Sequence, residues 1–240
     1  RERRLSPRWG SCFSQSANRG TNRMTITILT VAAVVTAVLA TAGEYKPTRT
    51  QVYIFKPLTT TLIIFIAFLG TGAATPLYKG LVIAGLVFCL GGDVFLMLPA
   101  RFFIVGLGSF LIGHVLYIAA FVTDAGFQFS VWWLLPLLVF GGVVYGRLHA
   151  HLGKMRLPVI IYMITILTMA WQALARWSVQ PSSSALLAAI GAVSFVLSDS
   201  ALALDRFRAK FRSARVIVLS TYWLAQWLIA LSVGGYVALV

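Results

Sequence analysis

The chain has 240 residues, of which 59% are hydrophobic and only 11% charged, and its mean hydropathy is +0.88. A soluble domain cannot hide that much apolar surface, so composition excludes one and predicts an all-α polytopic membrane protein. The formal net charge of +14 does not point to nucleic acid, because the basic residues lie in short clusters between apolar runs, where they set topology and meet anionic membrane lipids.

Residues 1–23 are polar and basic, and Met24 directly precedes the first apolar run. They read as a disordered upstream extension to a membrane domain spanning 24–240. Eight segments then approach or exceed the ~20 apolar residues that cross a hydrocarbon core. They lie near 25–42, 53–72, 77–98, 101–122, 130–147, 157–177, 184–205 and 214–238. The loops after the first, third, fifth and seventh carry eleven basic residues, whereas the opposite side has only Lys79 and Arg176 once residues 1–23 are set aside. The basic side is therefore expected to be cytoplasmic, with both termini outside. Cys12 and Cys89 sit in the tail and in mid-membrane, which gives no disulfide framework, and no zinc-ligand spacing occurs. His149 and His151 form an isolated pair in a basic loop and read as solvated.

The second half repeats the first weakly. Pro57 in FKPLTTTLIIF aligns with Pro158 in RLPVIIYMITIL, Asp93 in GGDVFLMLPARF with Asp199 in LSDSALALDRF, and Arg101 with Arg206. The offsets agree within five residues, which predicts two duplicated four-helix halves with a site at their interface.

Asp93 and Asp199 are the two acids set inside long apolar runs. A charge at the centre of a membrane helix costs ~2.5 kcal/mol or more, so such a group ordinarily has a task. Each falls five or six residues before the basic end of its helix, ~8–9 Å deep at 1.5 Å per residue. Lys56, His114, Tyr162, Tyr222 and Gln226 bring further polar groups to the same half of the bilayer, and Tyr117 shares a helix face with His114. Two carboxyls facing one polar cavity separate into one acid and one base; structural glue between helices is the alternative use. Lys56 suits either the headgroup layer or an anion such as phosphate.

At these residues the chain resembles the YhhN-like family of integral membrane proteins, whose characterised members are lysoplasmalogenases. FKPLTT at 55–60, GGDVFLML at 91–98, GLGSFLIGHVLYIAAF at 106–121, PVIIYM at 158–163, LSDSALALDRF at 197–207 and YWLAQWLIALS at 222–232 carry the resemblance. It implies eight helices and hydrolysis of the vinyl-ether bond of a lysophospholipid to a fatty aldehyde and a glycerophospho-ethanolamine or -choline. For that reaction Asp93 and Asp199 are the expected catalytic pair, with Lys56, His114, Tyr117, Tyr162, Tyr222 and Gln226 expected to bind substrate. No metal or organic cofactor and no nucleic-acid partner is expected. The location implied is the plasma membrane, with the pocket facing the cytoplasmic leaflet. The rival reading is a small-molecule or proton-coupled transporter, since duplicated halves with intramembrane acids also mark carriers.

Overall fold

The computed structural model describes residues 9–46, 50–72 and 75–234, with side chains from Thr21 onward. Eight helices follow one another: α1 (Trp9–Gly43), α2 (Thr50–Leu69), α3 (Pro76–Met97), α4 (Phe103–Ala125), α5 (Val131–Leu148), α6 (Arg156–Val179), α7 (Ser183–Ala203) and α8 (Ala214–Ser232). Among the described residues no strand occurs, and all eight helices are long and apolar enough to span a membrane, α1 through its Thr21–Gly43 portion. The protein is an integral, multi-pass membrane protein. Helix α1 begins within the stretch expected to be an extension, residues 1–8 lie outside the described residues, and so does the end of the eighth predicted segment beyond 234.

Local chemistry explains the helix ends. Thr75 caps α3 by accepting from the Tyr78 amide at 3.2 Å, with Pro76 in the first turn, and Ser182 caps α7 by accepting from the Ala185 amide at 3.1 Å. Lys79 Nζ donates to the Phe68 and Gly70 carbonyls (2.6 and 2.8 Å), satisfying groups that the end of α2 leaves open. Gly126 closes α4 at φ 74°, a conformation that excludes most side chains.

Packing follows the repeat. Helix α2 lies against α1, α3 and α8, and its counterpart α6 lies against α5, α7 and α4. The α3–α4 and α7–α8 pairs pack most extensively, and small residues line their seams. A Cβ on Gly92 would fall 2.5 Å from the Phe110 ring, and one on Gly191 would fall 3.0 Å from the Ala225 carbonyl oxygen. Gly92 thereby seats Phe110 of α4 against α3, where Phe110 and Asp93 line the same cavity.

One polar cluster lies at the end of the bundle away from the basic loops, the side on which the sequence places only Lys79 and Arg176 as basic residues. The Arg176 guanidinium, 3% exposed, meets Asp124 at 2.7 Å and also donates to Tyr78 (3.2 Å) and Ser184 (3.1 Å). Tyr78 shares a 2.7 Å hydrogen bond with Ser232. Arg176 reads in the sequence as a charge of the side opposite the basic loops, but α6 and α4 extend past it and past Asp124 and bring the two together. Neutralisation by a half-buried Asp124 lets Arg176 be buried, and hydropathy alone does not register that. Arg176→Met is expected to lower unfolding stability in detergent by ~3–5 kcal/mol by leaving Asp124 without its cation. An unchanged thermal midpoint would contradict this role.

Candidate active site

At the opposite end, where α2, α6 and α8 begin and α3 and α7 finish, a cavity of about 80 Å³ lies between the two halves. Asp93 sits four residues before the end of α3 and Asp199 four before the end of α7, so the duplicated helices bring both acids to one level. Both line the cavity, as do Lys56, Tyr162 and Tyr222. Its remaining wall is mostly apolar, chiefly Phe103, Leu107 and Phe110 of α4 and Leu202 and Ala203 of α7, with Ser198 and Arg206 as its other polar members.

The two carboxyl groups differ sharply in their surroundings. Asp93 is 1% exposed and accepts at Oδ2 from Thr60 Oγ1 and from the Tyr222 hydroxyl, each at 2.7 Å. Its Oδ1 lies 3.3 Å from Lys56 Nζ. Two hydroxyl donors and an ammonium are the partners of an ionised carboxylate, since an Asp anion accepts only. Asp199 is half-buried and accepts a short hydrogen bond from the Tyr162 hydroxyl, and no cation pairs with it among the described residues. The repeat explains the difference. Pro57 corresponds to Pro158, so Lys56 corresponds to Leu157, and the second half has no lysine at the position equivalent to the one that pairs with Asp93.

Behind Asp93 a hydrogen-bonded chain fixes its donors. Gln226 Nε2 donates to the Tyr222 hydroxyl (3.1 Å), Tyr117 donates to Gln226 Oε1 (2.8 Å), and the Cys89 thiol lies 3.9 Å from Tyr117. Such a satisfied buried network holds a side chain in one rotamer. Tyr117 and Gln226 therefore stand behind the cavity wall and orient Tyr222 rather than meeting the cavity themselves. His114 is also fully buried and off the cavity. Its ring packs edge-on to Phe195 (4.5 Å between centroids) and to Tyr162 (5.3 Å), and among the described residues neither ring nitrogen has a hydrogen-bond partner. It buttresses the tyrosine that holds Asp199.

Lys56 is only 9% exposed and is engaged by Asp93, so it is not free at the headgroup layer. Thr60, one helical turn beyond Lys56, was not singled out in the sequence, although its i+4 spacing from Lys56 places both on one face of α2. Ser198, Phe103, Phe110 and Arg206 are further cavity residues that sequence reasoning missed. The paired loop histidines are exposed, and among the described residues no cluster of three or more His, Cys, Asp or Glu side chains forms a metal site.

Comparison with known proteins extends these observations. The model of the YhhN family matches residues 51–233. The uncharacterized membrane protein YhhN of Escherichia coli O157:H7 is 29% identical over 207 residues, covering 84% of this chain and 96% of that protein. Lysoplasmalogenase TMEM86B of Homo sapiens is 34% identical over 164 residues, covering 68% of this chain and 65% of that protein. Lysoplasmalogenase TMEM86A of Bos taurus is 33% identical over 157 residues, covering 63% and 64% respectively. No solved structure shows a significant match. Because the family match runs from α2 through α8 and takes in every residue placed around the cavity above, the chain belongs to the YhhN family.

Proposed function

We propose that this protein is a lysoplasmalogenase-like membrane hydrolase that cleaves the vinyl-ether bond of a lysophospholipid by acid–base catalysis with Asp199 and Asp93. The observation that carries the reading is one cavity lined by two carboxyl groups in unlike settings, Asp93 paired with Lys56 and Asp199 without a cation. The relatives named lysoplasmalogenase supply the substrate class.

The roles follow from those settings. Asp199, as the neutral acid, gives its proton to the alkene carbon that does not bear the ether oxygen. The π electrons form the new C–H bond and leave an oxocarbenium ion. The Asp93 carboxylate steadies that cation and takes a proton from the water that adds to it, giving a hemiacetal. Collapse then breaks the bond between the former vinyl carbon and the ether oxygen. The proton held by Asp93 goes to the departing glycerol oxygen, and the hemiacetal hydroxyl proton returns to Asp199. Aldehyde and glycerophospho-product leave with both carboxyl groups restored. A pair of this kind divides the work as the two carboxyl groups of a glycosidase do. The chemistry asks for no metal or organic cofactor.

A cavity of about 80 Å³ has room for the reacting atoms and a water or two, a water's share of liquid volume being ~30 Å³. The alkenyl tail stays in the lipid against the apolar α4 wall. With the basic loops cytoplasmic, the site faces the inner leaflet of the plasma membrane.

The transporter reading has less support, because among the described residues no hydrogen bond joins the network behind Asp93 to the Arg176–Asp124 cluster. The chain that runs inward from Asp93 ends at Cys89, and the far cluster is closed by the Arg176–Asp124 ion pair.

Purified protein incubated with matched vinyl-ether and ester lysolipids tests the proposal. Fatty aldehyde from the vinyl ether is the expected product. Fatty acid from the ester in its place identifies an ester hydrolase, and no product from either contradicts a hydrolase.

A further inference from the structure

Among the described residues two cations line the cavity, and they are not equivalent. Lys56 is committed to Asp93. Arg206 is exposed, lies at the cavity's edge, and makes no ion pair among the described residues. Its neighbour Asp205 is occupied by the Phe211 amide at 3.1 Å. The Arg206 guanidinium lies 3.7 Å from the centre of the Phe103 ring, and that ring packs edge-on against Phe207. An arginine laid over an aromatic face keeps its in-plane N–H donors open, which is the arrangement that grips a phosphate through two parallel hydrogen bonds.

The backbone sets the position. Helix α7 passes into a π-helical turn, Leu204–Arg208, and such turns commonly mark functional sites. Arg206 comes seven residues after Asp199, an axial separation of roughly 10 Å. In an alkenyl lysophospholipid, seven covalent bonds separate the carbon to be protonated from the phosphorus, an extended span of ~9 Å at ordinary bond lengths. The two lengths are comparable, and Asp199 and Arg206 line the same cavity.

We infer that Arg206 is the phosphate-binding residue of the substrate site, and that it selects phosphate-bearing ether lysolipids over neutral alkenyl glycerols. This rests on the hydrolase reading for its substrate but not for its test. The basic residue aligned with it in the first half, Arg101, does not line the cavity, so the site has one phosphate anchor and one orientation for the lipid.

Binding reads the inference without turnover. The full-length protein in a maltoside detergent, which carries no phosphate, is titrated with a non-cleavable alkyl lysophosphatidylethanolamine and with the matching alkyl glycerol. In Arg206→Gln the affinity ratio favouring the phospholipid is expected to fall by ~10-fold or more, as for a lost hydrogen bond to a charged group. Arg206→Lys keeps the charge but not the fork and restores part of the ratio. If hydrolysis is observed, the ratio of kcat/KM for the two cleavable alkenyl substrates falls in parallel, through KM. An unchanged ratio, or equal weakening of both ligands, overturns the inference and leaves Arg206 as a contact to bulk headgroups. A wild-type protein that binds with phosphate preference but releases no aldehyde overturns the hydrolase reading while supporting the anchor.

Discussion

Asp199→Asn is expected to lower aldehyde release from a lysoplasmalogen by about 10²–10⁴-fold, the usual contribution of a positioned general acid. The substitution keeps the shape of the side chain and keeps an oxygen able to accept from the Tyr162 hydroxyl, the bond that holds Asp199 in place. The amide has no proton to give to carbon. Asp199 has no cationic partner among the described residues, so the change strands no buried charge. Fold and insertion are expected to be close to those of the unaltered protein. Both are measured together, as the aldehyde formed per folded molecule and the thermal midpoint in detergent. Activity retained in Asp199→Asn would remove it from the chemistry.

Asp93→Asn is expected to cost both catalysis and stability, and a second substitution separates the two. The amide cannot balance Lys56, which would remain 9% exposed without its anion. Removing one partner of a buried pair costs ~3–5 kcal/mol, most of it from the charge left behind. Adding Lys56→Met deletes that stranded charge, and a buried pair replaced by groups of similar volume is often neutral or stabilising. The double variant Lys56→Met/Asp93→Asn is therefore expected to regain the thermal midpoint and still to release aldehyde ~10²–10⁴-fold more slowly than the unaltered protein. If activity returned together with stability, Asp93 would be a fastening between α2, α3 and α8 and not a catalytic group.

The eight helices and the acid pair were legible in the sequence because both leave local signals: apolar length, and an ionisable residue inside it. The duplication was legible through Pro57 with Pro158 and Asp93 with Asp199, and the α2 and α6 packing follows it. The facing of individual polar residues was not. His114, Tyr117 and Gln226 lie at the right depth, but helix rotation decides whether they meet the cavity. That rotation is set by close contacts such as Gly85 against Tyr117 and Gly191 against α8. The Arg176–Asp124 pair joins residues 52 apart in sequence, and no window of hydropathy sees such a pairing. Arg206 had the look of one more topology charge, and the π-helical turn that brings it to the cavity has no composition of its own. The unlike environments of the two acids come from Lys56, whose counterpart in the repeat is Leu157. That asymmetry was present in the alignment, but it acquires meaning only once Lys56 is seen beside Asp93.

Single-turnover cleavage of a lysoplasmalogen by the unaltered protein in D₂O tests the central claim most directly, because proton transfer to carbon is the step assigned to Asp199. One deuterium at the carbon next to the aldehyde group, formed at a rate clearly slower than in H₂O, is the predicted result. Release of fatty acid, or aldehyde formed equally fast in both solvents, would contradict it.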